Sequence, residues 1–319
     1  MKFNYIAVIV TYNRCAMLKE SIDRLLKQTI IPQKIIVIDN ASNDATQEYM
    51  EELTHSNELI DYQRMNENLG GSAGFYQGVK IASTKYSADW IALSDDDAFY
   101  EPDYFERIGE YSQSEDVECY SGMVKSTDGS IQLEHRRRVQ NGTTMQSVNV
   151  PAEEYQKPSF EVDQCTFVGF TFSTKLIDKI GLPEKDYFIW YDDSEYSLRI
   201  RQHSKIVNVN SAVIVHHNGK VSGDTFVPSW KEYYGMRNQI AMGMKYTKSV
   251  NTYRSYLRLV LIKKLLANLI KKDRQPYRKF MLKAIRKGYQ DGISGSLGFN
   301  PDFYPGMNTK NYKAGVQNG

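Results

Sequence analysis

Cysteine is scarce in this sequence: three residues in 319, Cys15, Cys119 and Cys165, with no CxxC spacing. An odd number without close pairs excludes a disulfide framework and a thiolate zinc site, and it fits a reducing compartment. Long apolar runs are also missing. No stretch approaches the ~18 consecutive apolar residues of a membrane span, so the chain is expected to be soluble or to lie on a membrane surface. The opening run, Met1 to Val10, is too short and wrongly flanked for a secretory leader, and Thr11-Tyr12-Asn13-Arg14 breaks it. Nor does one sign of charge dominate. Lys and Arg number 40 against 38 Asp and Glu, a net +2, so no nucleic-acid partner is expected and any basic surface must be local. Internal repeats and low-complexity tracts are absent too. What is present is 41% hydrophobic residues, enough for one large α/β domain or a core domain with an appended helical region.

The first third reads as alternating strands and helices. Tyr5–Val10 is a β-branched apolar run, Met17–Gln28 carries Leu18, Ile22, Leu25 and Leu26 at helical spacing, and Lys34–Ile38 follows the turn marked by Pro32. Continuous apolar strands joined by helices imply a mostly parallel sheet covered on both faces. Ligands of such sheets sit beyond the carboxyl ends of the strands. The polar residues at those ends therefore matter most: Thr11, Tyr12 and Asn13, then Asp39 and Asn40, then Ser94 to Asp97.

The last of these is the most unusual stretch. Trp90-Ile91-Ala92-Leu93-Ser94 ends in Asp95-Asp96-Asp97. Three adjacent carboxylates repel one another, so a strand that delivers them together either ends in a solvated acidic turn or gives them a cation to hold. Asp39 has two readings as well: the start of an Asx turn or helix cap, or a carboxylate that accepts from a nucleobase or ribose. Between them lies Asn68-Leu69-Gly70-Gly71-Ser72-Ala73-Gly74-Phe75, continuing as a helix over Tyr76–Ser83. Paired glycines at a helix mouth let free N–H groups approach a phosphate or sugar closely. The turn matches neither a P-loop nor GxGxxG, which argues against a kinase-type ATP site.

Taken in order, Val8 to Arg14, Val37 to Ser42, Asn68 to Phe75 and Asp95 to Asp97 resemble the successive motifs of family-2 glycosyltransferases of the GT-A fold. Within that family the Asn-Leu-Gly-Gly-Ser-x-Gly-Phe wording is similar to bacterial galactofuranosyltransferases and rhamnosyltransferases. The resemblance spans roughly Tyr5 to Asn218. It implies a nucleotide-diphospho-sugar donor and an inverting transfer that depends on Mn²⁺ or Mg²⁺, with Asp95 and Asp97 on the metal and Asp96 toward the donor ribose or sugar. Thr11, Tyr12, Asn13, Asp39, Asn68, Gly70, Gly71, Asp95 and Asp96 are the expected donor-binding residues.

The middle of the chain supplies the second half of a site. Ser126–Phe160 reads as a long polar loop containing Arg136-Arg137-Arg138, which either contact a diphosphate or anionic acceptor or form a solvated charge run. Cys165–Phe172 reads as a strand in which Gly169 either lets backbone pass close to the acceptor sugar or sits in a plain core strand. In Tyr187 to Arg199, acids are embedded among aromatics, whose partial desolvation raises a carboxylate toward the range of a general base. A helix starting near Asp193 opposes that rise through its dipole. The resemblance assigns the base to Asp193, with Asp192 as its nearest competitor, and places Trp190, Tyr191, Gly169 and Glu195 on the acceptor side. Ala212–Val215 is a strand ending in His216 and His217. Alternation puts the two on opposite faces, so one should ligate; the family position is a metal-coordinating histidine, and His216 is preferred.

From Trp230 to about Gly288 the pattern is helical. Arg254 to Lys287 holds twelve Lys and Arg against one acid, Asp273, with Leu257, Val260, Leu261, Leu265 and Leu269 at helical spacing. Such a helix either packs on a core with a basic face outward or contacts a membrane surface, where a lipid-linked acceptor would be presented. The tail after Phe299 reads as loosely ordered. The expected organisation is a catalytic domain over 1–225 and a basic, amphipathic helical region over 226–319. The expected activity is transfer of a sugar from UDP-galactofuranose, or from dTDP-rhamnose as the second choice, to a glycan or lipid-linked glycan acceptor. The expected place is the cytoplasm, peripheral at the inner face of the plasma membrane. Two other classes compete. A non-catalytic sugar-nucleotide or glycan-binding module could tolerate loss of the base, and a nucleotidyltransferase should show a basic glycine-rich loop that Thr11–Arg14 does not supply.

Overall fold

A computed structural model of the chain describes residues 3–112, 117–217, 226–310 and 312. In chain order the first half runs β1 (Tyr5–Thr11), α1 (Cys15–Leu26), β2 (Lys34–Asp39), α2 (Thr46–Ser56), β3 (Ile60–Arg64), α3 (Gly70–Lys85), β4 (Trp90–Asp95), β5 (Ala98–Tyr100), α4 (Tyr104–Tyr111) and β6 (Cys119–Lys125). There follow β7 (Arg136–Asn141), β8 (Gln146–Asn149), β9 (Ser159–Val162), β10 (Gln164–Cys165), β11 (Phe170–Ser173), α5 (Lys175–Ile180), α6 (Asp192–Ile200) and β12 (Ile206–His216). Three helices close the chain: α7 (Lys231–Tyr246), α8 (Val250–Ile270) and α9 (Arg278–Ser294).

The chain divides into two units: Met1–Val139, Ser147–Lys185 and Asp192–Gly219 in the first, and Gln140–Gln146, Asp186–Tyr191 and Lys220–Gly319 in the second. The expected boundary at 225/226 falls at the edge of 218–225, outside the described residues.

The first unit is the α/β fold expected, a central sheet flanked by helices. Its order is β3-β2-β1-β4-β11-β6-β12-β5, with β9 paired to β12. Strands β3, β2, β1 and β4 run parallel, and β11 enters antiparallel between β4 and β6. All seven residues of β1 are buried, as a strand covered on both faces requires. One face of the sheet packs Val8, Ile36, Phe75 and Val79; the other packs Ile9, Val37, Leu18 and Ile22. Chain order reverses between β1 and β4, which opens a crevice at their carboxyl ends. The register sets Thr11 beside Asp39 and Val10 beside Asp95 at that edge.

Several expectations change. The polar stretch 126–160 is not a loop: it forms β7 and β8, which join β10 in a small three-stranded sheet, and then β9. The arginine run inside it is neither solvated nor free for a ligand at its first position. Arg136 is 0% exposed. Its Nε donates to Asn208 Oδ1 at 2.8 Å, and its terminal nitrogens donate to the carbonyls of His135, Gly122 and Val168 at 2.8 to 2.9 Å. Arg138 donates to the Glu161 carbonyl and to Glu154. The helix begun at the glycine turn starts at Gly70 itself, and the strand expected over Cys165–Phe172 is two strands with a turn between them.

In the second unit α9 closes on α7 through two glycines. A Cβ on Gly288 would lie 2.9 Å from Met236 Cβ, and one on Gly292 would lie 2.7 Å from the Arg237 carbonyl. Tyr233 on α7 donates to Asp291 on α9 at 2.6 Å and stacks on Phe303, ring centroids 4.3 Å apart. Phe303 is fully buried, so this part of the tail expected to be loose is instead packed, because its aromatic ring completes the α7–α9 core.

Candidate active site

Three turns meet at the carboxyl edge of the sheet. After β1, the Asn13 N–H donates to Ser42 Oγ at 2.9 Å, and Asn13 Oδ1 accepts the Asn43 N–H at 2.7 Å. Asn13 holds φ of 56°, a conformation asparagine tolerates. These bonds tie the turn after β1 to the one after β2 and leave Tyr12 exposed beside them. Asp39 is fully buried, with Oδ1 accepting the Ser42 N–H at 2.8 Å and Oδ2 accepting Tyr62 Oη at 2.7 Å. Both oxygens are therefore engaged, one of them closing the turn after β2.

At the mouth of α3, Gly70 takes φ of 83° and its N–H donates to Asn68 Oδ1 at 2.9 Å. The glycines that follow have different causes. A Cβ on Gly74 or Gly78 would run into Val10 or Val8 at 2.6 and 2.3 Å, so packing on β1 demands them. A Cβ on Gly71 would meet nothing within 4 Å, which leaves open space against the helix mouth.

The acidic run divides at the end of β4, with Asp96 and Asp97 in the turn to β5. Asp95, Asp97 and His216 present ligand atoms that all lie within 4.8 Å of one another. Asp96 turns away: its Oδ2 accepts Thr11 Oγ1 at 2.7 Å, and Arg14 donates to its Oδ1 at 3.3 Å. Arg14 also donates to Asp97 Oδ2 at 2.5 Å. His217 packs its ring on Phe99 instead, centroids 4.4 Å apart. Burial pushes Asp96 up to about 6 against the pull of Thr11 and Arg14. Burial and the charge of Asp97 push Asp95 up to about 7, although its partly exposed edge leaves that desolvation incomplete. Burial acts upward on Asp97 too, but His216 and Arg14 outweigh it and hold the group at about 2.

The tautomer of His216 can be worked out. Gln132 Nε2 donates to Ser126 Oγ at 2.9 Å and to the His216 carbonyl at 3.3 Å. Its Oε1 can then only accept, and it faces His216 Nδ1 at 2.9 Å and His135 Nε2 at 2.7 Å. Both nitrogens must carry protons. A neutral His216 therefore turns a bare Nε2 toward Asp97 Oδ1, 3.3 Å away, and that oxygen is buried without a hydrogen bond. Two lone pairs that face each other in a buried site call for a cation between them. Two carboxylates and one imidazole, oriented from behind by an amide, fit a divalent ion.

Beyond the cluster, α6 begins with Asp192 and Asp193. Burial and the charge of Asp193 push Asp192 well above the ordinary carboxyl range, and Asp95 is close enough to add to that. Burial pushes Asp193 up to about 6, opposed by the Ser194 N–H at 2.5 Å, by the Ser194 hydroxyl and by the charge of Arg137. Glu195 is buried, and Arg199 grips its Oε2 through Nε at 2.9 Å and a terminal nitrogen at 2.7 Å. Gly169 sits in the turn before β11 with φ of 71°. A Cβ there would lie 2.6 Å from Tyr104 Oη, which donates to the Gly169 carbonyl at 2.6 Å.

Trp190 and Tyr191 fall in the second unit, where Trp190 is 43% exposed. Phe188, Trp190 and Tyr191 all take positive φ, between 64° and 71°. Such a run of strained aromatics persists only when neighbours over-determine it. Asn238 supplies this, its Nδ2 lying 2.9 to 3.0 Å from the carbonyls of Tyr187, Ile189 and Trp190, and Arg237 adds a bond to Tyr187 at 2.9 Å. Sequence reasoning missed these two supports, and also Gln132 and Arg14. Arg14 lies inside a motif already singled out, and Arg237 and Asn238 lie in the helical stretch after Trp230; nothing local marks Gln132.

Residues 6–180 match the profile of Glycosyl transferase family 2. The chain belongs to this family. It has the GT-A fold, and Asp95, Asp97 and His216 are its candidate metal site. Among curated relatives of this glycosyltransferase, the galactofuranosyltransferase GlfT1 of Mycolicibacterium smegmatis is 35% identical over 91 residues, 28% of this chain and 29% of that one. The chain thus spans less than a third of that relative's length. The uncharacterized glycosyltransferase YwdF of Bacillus subtilis is 27% identical over 212 residues, 66% of this chain and 72% of that one. Among solved structures, GalNAc-T7 with UDP, GalNAc and Mn²⁺ superposes with a TM-score of 0.62 at 15% identity, over 92% of this chain and 56% of that one. S. aureus TarS 1-349 in complex with UDP gives 0.55 at 12% identity, over 92% of each chain. At these identities the solved structures show the fold alone.

Proposed function

We propose that this glycosyltransferase carries out a metal-dependent, inverting transfer of a sugar from a nucleotide-diphospho-sugar to a hydroxyl of a bacterial surface glycan or lipid-linked acceptor. The observation that carries the metal dependence is the bare pair, Asp97 Oδ1 and His216 Nε2, 3.3 Å apart beside Asp95. These three residues would hold Mn²⁺ or Mg²⁺. A bound divalent ion neutralises the donor diphosphate and favours departure of the nucleotide.

The chain's own residues supply the rest. Thr11, Tyr12, Asn13 and Asp39 line the nucleoside side, and Asn68, Gly70 and Gly71 offer a helix mouth with space for the donor. Asp96, held by Thr11 and Arg14, turns toward the donor ribose or sugar. Trp190, Tyr191, Gly169 and Glu195 form or support the acceptor side. Asp193 takes the proton of the acceptor hydroxyl, the acceptor oxygen attacks the anomeric carbon, and the bond to the diphosphate breaks on the opposite face. One displacement gives inversion. Asp192, whose carboxyl burial and the charge of Asp193 push well above the ordinary range, is the nearest competitor for the role.

The likeness to GlfT1 over 91 residues favours galactofuranose, and the UDP held by TarS and GalNAc-T7 favours a uridine nucleotide. Rhamnose from dTDP-rhamnose is the second choice, on the wording of the Asn68–Phe75 motif. The basic region 254–287 suits contact with a membrane surface at the inner face of the plasma membrane; no helix of the described residues is long and apolar enough to cross one. The test is Asp193→Ala, measured as nucleoside diphosphate released with and without acceptor. Acceptor-dependent release should fall roughly 10²- to 10⁴-fold while donor affinity is kept. Near-normal turnover would remove Asp193 from the role.

A further inference from the structure

Helix α8 has two apolar sides, and among the described residues only one of them is used in packing. Tyr253, Leu257 and Asn268 face inward, at 2%, 4% and 0% exposure. The Asn268 side chain donates to the Arg278 carbonyl at 3.1 Å. Of the apolar positions expected from sequence, Leu257, Val260, Leu261 and Leu265 are buried or partly buried. The outward side carries a second apolar set: Leu259, Ile262, Leu266, Leu269 and Ile270, from 47% to 75% exposed.

At 100° per residue these five occupy an arc of about 100°, and they run about 17 Å along the axis. Arg258 borders the arc on one side and Lys263 on the other, both exposed, with Arg254 beyond Arg258 and Lys272 just past the end of the helix. No acid lies between Val250 and Lys272. A convex apolar ridge edged by long cationic side chains is the arrangement of a helix lying in a bilayer interface. The ridge enters the acyl boundary while the Lys and Arg stems reach back to the headgroups.

We infer that the outward face of α8 docks this glycosyltransferase onto an anionic lipid surface, with Leu259, Ile262, Leu266, Leu269 and Ile270 inserted and Arg254, Arg258, Lys263 and Lys272 on the headgroups. Charge decides against a second copy of the chain as the occupant, because apposed α8 faces would bring cations together with no acid to answer them. The inference rests on the reading of 254–287 as a membrane-contacting region and does not depend on which sugar is transferred.

The test is co-sedimentation of the full chain with vesicles of phosphatidylglycerol and phosphatidylcholine, and with phosphatidylcholine alone. Binding should favour the anionic vesicles roughly tenfold or more and should weaken as salt rises. Ile262→Glu with Leu266→Glu should lower partition onto anionic vesicles roughly tenfold, at unchanged melting temperature and unchanged turnover on a water-soluble acceptor. Equal binding to both vesicle types by the wild type, which needs no folded variant, would overturn the inference. A concentration-dependent dimer that the double variant abolishes would assign the face to a second copy instead. Loss of transferase activity on every acceptor, with vesicle binding intact, would count against the functional reading and leave this one standing.

Discussion

Two of the buried charged clusters in the first unit are built on opposite plans. Around Arg136 a full cation sits at 0% exposure, with no carboxylate among the described residues bonded to it, held by Asn208 and three carbonyls. Ser121 donates to the same Asn208 oxygen at 3.0 Å, and Asn208 passes a bond on to Asn210 at 2.7 Å. Around Asp97, by contrast, a carboxylate oxygen with no hydrogen bond faces an imidazole nitrogen that is bare in neutral His216. A satisfied buried network rigidifies a fold; an unsatisfied one waits for a ligand. The comparison separates a charge kept for architecture from charges kept for chemistry, though both are equally hidden from water.

The largest effects should come from exchanging these roles. Asp97→Asn is expected to cut transfer roughly a hundredfold or more. It should change stability less than Arg136→Met does, since the Arg14 it is paired with is half-exposed and its own Oδ1 already lacks a hydrogen bond. Arg136→Met should do the reverse. It strands three carbonyls and an amide oxygen in the core and should cost about 3 kcal/mol or more, with turnover per folded molecule little changed. Denaturant titration beside steady-state rates reads both. A stability loss in Asp97→Asn equal to that of Arg136→Met would collapse the distinction.

A smaller effect is expected at Gln132, which joins the cluster from behind. Gln132→Leu removes the acceptor that keeps the proton on His216 Nδ1, so the ring is free to present the wrong nitrogen. Mn²⁺ affinity, measured by calorimetry, should fall roughly 10- to 100-fold. Gln132→Glu keeps an acceptor and should retain most of it. Equal loss in both variants would reduce Gln132 to a packing role.

What the sequence made legible follows from range. The carboxyl-end residues are local consequences of where the strands stop, and the split of Asp95 and Asp97 from Asp96 is set by the two-residue turn between β4 and β5. Arg136 was illegible because its acceptors lie at Gly122, Val168 and Asn208, 14 to 72 residues away, and a three-arginine run looks the same solvated or buried. Gln132 was hidden for the same reason, 84 residues from the histidine it orients. The outward ridge of α8 was masked by apolar residues on both sides of one helix, which leaves periodicity unable to say which set packs inward.

The smallest shift concerns Arg137, the neighbour of Arg136 in sequence but not in task. Asp193 sits at about 6, raised by burial and held back by Ser194 and by the charge of Arg137. As a base it must be ionised, so kcat/KM should rise with pH through about 6 and fall tenfold per pH unit below it. Removing a positive charge disfavours the carboxylate, which raises its pKa further; Arg137→Met should therefore move the acid limb to higher pH. Asp95, at about 7, titrates nearby, but protons compete with the metal there, so its limb would move with Mn²⁺ concentration. A limb that stays fixed under saturating Mn²⁺ and moves up in Arg137→Met belongs to Asp193. One that follows the metal and ignores Arg137 would return the titration to the acidic cluster and leave Arg137, like Arg136, to the architecture alone.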